Sequence, residues 1–186
     1  LITEKNGDLN SKFILTLSEV CEKLIKLNHE IVLISSGAVG AGIQLIDKKL
    51  IDNINQKQTS VKQVLASLGQ PYLMKHYQEI FNQLNLKTSQ ILLTRKEIAE
   101  DKSTYLNIKN TIEKLIEFNI IPIINENDVV STEELEGEKF GDNDTLSSFV
   151  SNMIDANLLI ILSSIEGLFT TDPNLHPKSA KLISVI

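Results

Sequence analysis

Four short apolar runs, separated by segments of helical period, constrain this chain more than any other feature. They are Glu-Ile-Val-Leu-Ile-Ser at 30–35, Thr-Ser-Gln-Ile-Leu-Leu at 88–93, Ile-Ile-Pro-Ile-Ile at 120–124 and Leu-Leu-Ile-Ile-Leu at 158–162. Their apolar residues are consecutive instead of alternating with polar ones, the mark of strands buried on both faces. Between them lie helical patterns. Residues 10–27 place Phe13, Ile14, Leu17, Val20, Leu24 and Leu27 on one stripe, with Asn10 or Ser11 as N-cap. Residues 37–45, 61–84, 103–118 and 143–154 read as further helices, and the 61–84 helix is expected to kink or restart at Gly69-Gln70-Pro71. Residues 47–58 read as a polar loop and 167–173 as a turn region. Strand and helix alternate throughout, so the pattern predicts an α/β fold with a parallel sheet covered on both faces.

The 186 residues suffice for one domain or part of a larger one, and no repeat or linker divides them. A net charge of −6 with no basic cluster argues against nucleic-acid binding. No apolar run reaches membrane-spanning length and no signal peptide is visible, so a cytoplasmic protein away from membranes is expected. The single cysteine, Cys21, lies in an amphipathic pattern and reads as a buried core thiol. His29, His76 and His176 share no ligand spacing, and the acidic segment 133–138 reads as a solvated loop; no metal ligand is assigned.

Three segments carry chemistry. Ser-Ser-Gly-Ala-Val-Gly-Ala-Gly at 35–42 follows the first strand. Such a turn leaves backbone N–H groups free for an anion, although it is neither a Walker A loop nor Gly-x-Gly-x-x-Gly. Tight helix–sheet packing through small residues explains the same pattern equally well. Asn125-Glu126-Asn127-Asp128 and Gly141-Asp142-Asn143-Asp144 form two clusters of amides and carboxylates around an acidic spacer. Helix capping accounts for one cluster but not for two, and a polar ligand site at a strand end accounts for both. There, Asp128 and Asn143 could hold an ammonium group and Asp144 could orient a lysine. The third segment, 162–173, places Ser163, Ser164, Gly167 and Asp172-Pro173 after the fourth run, a weak signal for a nucleotide wall.

Taken in order, these segments resemble the glutamate-phosphorylating branch of the amino acid kinase family along nearly the whole chain. The matching elements are Ser35 to Gly42, the Gly69-Gln70 helix, Gln-Ile-Leu-Leu-Thr at 90–94, Pro122 to Asp128, Phe140 to Asp144 and Gly167 to Pro173. The resemblance implies a three-layer αβα sandwich with a mostly parallel central sheet. It implies transfer of phosphate from ATP, with Mg²⁺, to the γ-carboxylate of L-glutamate, the first step of proline biosynthesis. Ser36, Asp128 and Asn143 resemble glutamate-binding residues, and Gly37 a backbone donor near the transferred phosphoryl group. Asp144 resembles the aspartate that organises two catalytic lysines. Ser163 and Ser164 fall where the family contacts the nucleotide; they replace a Thr-Asp pair, which removes one carboxylate. Proline as feedback inhibitor and a homo-oligomer follow from the same resemblance.

The resemblance also makes residues 1–186 an incomplete amino acid kinase domain: the substrate-binding N-terminal lobe plus the start of the nucleotide-binding lobe. The lysine-bearing elements would flank it on both sides, so the 186 residues alone are expected to be weak or inactive. The alternatives are a kinase of the same fold acting on N-acetylglutamate, aspartate, carbamate or a nucleoside monophosphate; a non-catalytic fragment that binds glutamate or proline; and the kinase part of a bifunctional pyrroline-carboxylate synthase.

Overall fold

Among the described residues, 120–126 form the most deeply buried strand, and the architecture follows from that. The computed structural model describes residues 1–3, 8–47, 49–50, 58–94, 101–130, 143–163, 167, 169–171, 173 and 175–183. Among these, β3 (Ile120–Glu126) lies between β1 (Leu33–Ile34) and β2 (Lys87–Leu93) and runs parallel to both. Side chains alternate across a strand, and on β3 both faces are apolar. Ile121 and Ile123 enter a cluster with Ile14 and Cys21 of α1 (Ser11–Lys26) and Leu73, Tyr77 and Phe81 of α3 (Thr59–Asn82). Ile124 enters a second cluster with Ile112 of α4 (Lys102–Glu117) and Leu146, Val150 and Met153 of α5 (Asn143–Met153). Helices therefore cover both faces of a parallel sheet, as a three-layer αβα fold requires.

Local chemistry sets the helix limits. The Asn10 side chain accepts the Phe13 N–H at 3.0 Å, and that of Asp101 accepts from Ser103 and Thr104. At the other ends, Asn28, Asn85, Asn119 and Asp155 all take positive φ, between 52° and 63°, just past α1, α3, α4 and α5. The Asn/Asp side chain tolerates this left-handed state better than other non-glycine residues. The Schellman closures are present: the N–H of His29 reaches Leu24, that of Leu86 reaches Phe81 and that of Ala156 reaches Ser151.

The short helix α2 (Ala38–Ile43) crosses α3 at backbone contact. A Cβ on Gly69 would lie 1.9 Å from the Ala38 carbonyl oxygen and 2.3 Å from the Gly42 nitrogen; one on Gly42 would lie 1.9 Å from the Leu65 carbonyl oxygen. Only hydrogen fits at either position. The packing reading of the 35–42 segment is thus realised at Gly42.

Three expectations need correction. The first strand is only Leu33–Ile34, because β3 is its one described neighbour and the ladder starts opposite Ile123, just after Pro122, which has no N–H to give. The run 158–162 forms no strand: with no described strand beside it to complete a ladder, Leu158 and Ile160 are 74% and 65% exposed. Helix α3 does not restart at Pro71 but runs on to Asn82. Pro71 points to solvent while Gly69, Gln70, Leu73 and Met74 are buried around it, so tertiary packing holds both halves in one helix.

Replacing Gly69 with Ala should cost at least about 2 kcal/mol, since the obstructing atoms are backbone and cannot rotate away. Urea unfolding checks this against Gln78→Ala, on the exposed side of α3, expected to stay within about 0.5 kcal/mol. Alkali should also destabilise the fold. Burial pushes the Cys21 thiol up to about 11 and the Tyr77 phenol up to about 12. The unfolded chain releases these protons first, from 9.0 and 10.0 upward, so the native state holds more protons and stability falls as pH rises. The urea midpoint should drop between about pH 9 and about pH 12, less steeply in Cys21→Ala.

Candidate functional site

Parallel pairing brings the carboxyl ends of the strands to one level. The Ser35 N–H donates to the Ile124 carbonyl at 2.8 Å and the Asn127 N–H to the Leu93 carbonyl at 2.8 Å. The residues that leave the sheet there are Ser35-Ser36-Gly37 after β1 and Asn125 to Asp128 at the end of β3. Gly37 has φ +100°, a conformation that L side chains rarely adopt, and caps α2. The exposed Ser36 precedes it. Since α2 has only six residues, its dipole is small, and an anion at this turn would rely on the turn's own N–H groups.

A chain of carboxamides runs behind this turn. Asn143 Nδ2, at the start of α5, donates to the Ser35 carbonyl at 2.8 Å and to Asn125 Oδ1 at 3.3 Å. Asn125 Oδ1 also accepts the Glu126 N–H at 2.9 Å, and Asn125 Nδ2 donates to Gln70 Oε1 at 2.8 Å. Gln70 Nε2 donates to Gln90 Oε1 at 2.9 Å. Asn125 is 3% exposed and Gln70 8%, so both amides are buried and need these partners. The Ser35 hydroxyl meets the hydroxyl of Tyr77, on α3, at 3.1 Å.

Asn143 is not a helix cap. A cap accepts from N–H groups of the first turn, whereas Asn143 spends its NH₂ on Ser35 and Asn125. Its Oδ1 is buried and, among the described residues, has no hydrogen-bond partner. An orphaned buried acceptor at a strand end suits a ligand that brings N–H donors, and ammonium is the strongest such donor.

Next to the relay lies a cleft of about 230 Å³, walled by Gln70, Pro71 and Ser67 of α3, Gln90 and Leu92 of β2, and the 126–129 segment, including Asp128. Gln70 belongs to both the cleft wall and the relay, and so links the part of the site with Asp128 to the part with Ser35, Gly37 and Asn143. Asp144 is exposed in the first turn of α5, where a negative charge is favourable at a helix start. Ser163 is exposed beyond the 158–162 run. Ser164 and the acidic segment 133–138 lie outside the described residues. Among the described residues, no three His, Cys, Asp or Glu side chains group to hold a metal ion, and no helix is long and apolar enough to cross a membrane. His29 and His176 are exposed, while His76 packs edge-on against Tyr72 with ring centroids 4.5 Å apart.

From the sequence Gln70 carries no site assignment, and Asn125 stands out only as a member of the 125–128 cluster. One signal for Gln70 was there: it continues the stripe of Ala66, Leu73 and Tyr77, and a polar residue on a buried stripe needs a buried partner. Nothing in sequence spacing names Asn125, 55 residues away, as that partner.

The chain is similar to the glutamate 5-kinase of Dehalococcoides mccartyi strain CBDB1, 43% identical over 185 residues that take in all of this chain and 48% of the relative. Similarity to that of Dictyoglomus thermophilum is 43% identity over 178 residues, 96% of this chain and 46% of the relative. That of Methanosarcina barkeri is 41% identical over 184 residues, 99% of this chain and 46% of the relative. The chain thus spans about half the length of the curated relatives it matches. The amino acid kinase family model matches residues 1–186 without remainder, and the chain belongs to the amino acid kinase family.

Proposed function

We propose that this chain supplies the acceptor-substrate side of an enzyme that phosphorylates the γ-carboxylate of L-glutamate with ATP, the entry to proline biosynthesis. The observation that carries the reading is the orphaned Asn143 Oδ1, fixed in a buried polar site on a family scaffold whose relatives are named glutamate 5-kinase. Residues 1–186 are then the substrate-binding lobe and the start of the nucleotide-binding lobe. The setting is cytoplasmic, the enzyme a homo-oligomer, and proline a feedback inhibitor.

The chemistry asks little of acid–base groups. A γ-carboxylate is already ionised at neutral pH, so no side chain must take a proton from it. One carboxylate oxygen attacks the γ-phosphorus, the bond from phosphorus to the β–γ bridging oxygen breaks, and ADP leaves with that electron pair. The barrier is the approach of two anions, lowered by positioning and by hydrogen-bond donors and cations around the transferred group. In this reading Asn143 Oδ1 and the Asp128 carboxylate take the α-ammonium of glutamate, and Ser36 takes one of its carboxylates. The Gly37 turn presents N–H groups toward the phosphoryl group. Asp144 orients the lysines, and Ser163 with Ser164 flanks the nucleotide. Bound with the nucleotide, Mg²⁺ would supply neutralisation of phosphate charge; no residue of this chain is assigned to hold it.

The test is ADP release by the protein that carries this chain, with the acyl phosphate trapped by hydroxylamine. Release should require L-glutamate and fail with L-aspartate or N-acetylglutamate. Asn143→Ala should raise the glutamate KM about tenfold or more with little change in the ATP KM, because only the amino-acid site loses an acceptor. Turnover with N-acetylglutamate in place of glutamate would overturn the reading.

A further inference from the structure

We propose that Gln70, on α3, is a positioning residue of the acceptor-substrate site. Its Oε1 takes the Asn125 Nδ2 donor and so supports the Asn125 orientation in which Oδ1 accepts from Asn143 Nδ2, leaving Asn143 Oδ1 as the acceptor with no partner among the described residues. The link from Asn143 to glutamate rests on the function proposed above; the orientation itself rests on hydrogen-bond bookkeeping alone.

Carboxamide orientation follows from partners that cannot turn round. Two such partners anchor the relay, and both are backbone. The Glu126 N–H can only donate, so the group it meets on Asn125 is Oδ1. The Ser35 carbonyl can only accept, so the group it meets on Asn143 is Nδ2. Between these anchors every contact pairs a donor with an acceptor. Rotating Asn125 by half a turn would set its NH₂ against both the Glu126 N–H and the Asn143 NH₂. Rotating Asn143 would set its oxygen against the Ser35 carbonyl oxygen.

Gln70 completes the arrangement. Asn125 Nδ2 donates to Gln70 Oε1, within a residue 3% exposed where water cannot replace a lost acceptor. The orientation of Gln70 is set in turn by the anchored Asn125 Nδ2, which leaves Gln70 Nε2 to donate to Gln90 Oε1 on the cleft side. The glutamine itself cannot drift, because the neighbouring Gly69 is locked against Ala38 and Gly42. The backbone contact of two helices is thereby converted into the orientation of an amide on a third. Gln70 also walls the 230 Å³ cleft that Asp128 lines, and it reaches Asn143 through Asn125.

Two variants separate this role from a purely structural one. Gln70→Met keeps the length and removes the acceptor, whereas Gln70→Glu keeps an oxygen for Asn125 Nδ2. The first readout is solvent exchange of the Asn125 and Asn143 side-chain NH₂ protons by ¹⁵N-edited NMR on the protein that carries this chain. Gln70→Met should speed both about tenfold or more, with the backbone amides of α3 still protected, and Gln70→Glu should restore slow exchange. The second readout is kinetic. Gln70→Met should raise the glutamate KM about tenfold with the ATP KM unchanged and kcat within about threefold, and Gln70→Glu should recover most of the loss. Unchanged NH₂ exchange in Gln70→Met overturns the proposal. So does a lowered melting temperature with the glutamate KM unchanged. If Gln70→Met does not fold, faster NH₂ exchange in Gln70→Glu than in the parent protein overturns it, and parent-like exchange supports it. If the parent protein ignores glutamate, the proposed function fails, and the exchange measurement alone decides the role of Gln70.

Discussion

The contact between Gly42 and Gly69 is the constraint on which most of this structure depends. With Ala38 and Ala41 buried beside them, the two glycines let α2 lie directly on the backbone of α3. Any Cβ at Gly69 would push α2 away, and with it the Ser35–Gly37 turn that leads into α2. It would also shift Gln70, one residue on, from the end of β3. Dispersion and close packing at a glycine pair thus fix the distance between two polar groups that have no apolar reason to meet.

The same economy appears in the sheet. β3 is apolar on both faces up to Ile124, then turns polar at Asn125 while still buried. A buried carboxamide at a strand end is unfavourable by itself. It becomes tolerable because elements far apart in sequence each present one complementary group: the Glu126 N–H next to it, Gln70 from α3 and Asn143 from α5. A partly satisfied network would be worse than an apolar core, so these partners have to be specified together.

Periodicity made α1, α4, β2 and β3 legible to within a residue or two, as it did α5. The caps at Asn10 and Asp101 follow from side-chain chemistry alone. What the sequence hid was of two kinds. Strand formation depends on a neighbour, so the apolar run at 158–162 reads as a strand but forms none beside the described sheet, and the segment before Ser35 pairs over only two residues. The continuity of α3 through Pro71 likewise belongs to tertiary packing. The second kind is the pairing of polar groups. The Asn/Asp clusters at 125–128 and 143–144 stood out because polar residues interrupted apolar patterns. Gln70 did not stand out, because glutamine is an ordinary helix surface residue, and its burial is visible only once α2 and the sheet close over it.

The relay from Gln90 through Gln70 and Asn125 to Asn143 is built wholly of carboxamides, and that choice has a consequence for how the site responds to its surroundings. Imidazole or carboxylate groups in those places would exchange protons with the medium and turn acidity into a change of shape. Amides neither gain nor lose protons anywhere near neutrality, so their donor and acceptor ends are permanent. The arrangement transmits direction and nothing else: it cannot carry a proton from the cleft to the β1 turn, and a shift in acidity leaves its polarity as it was.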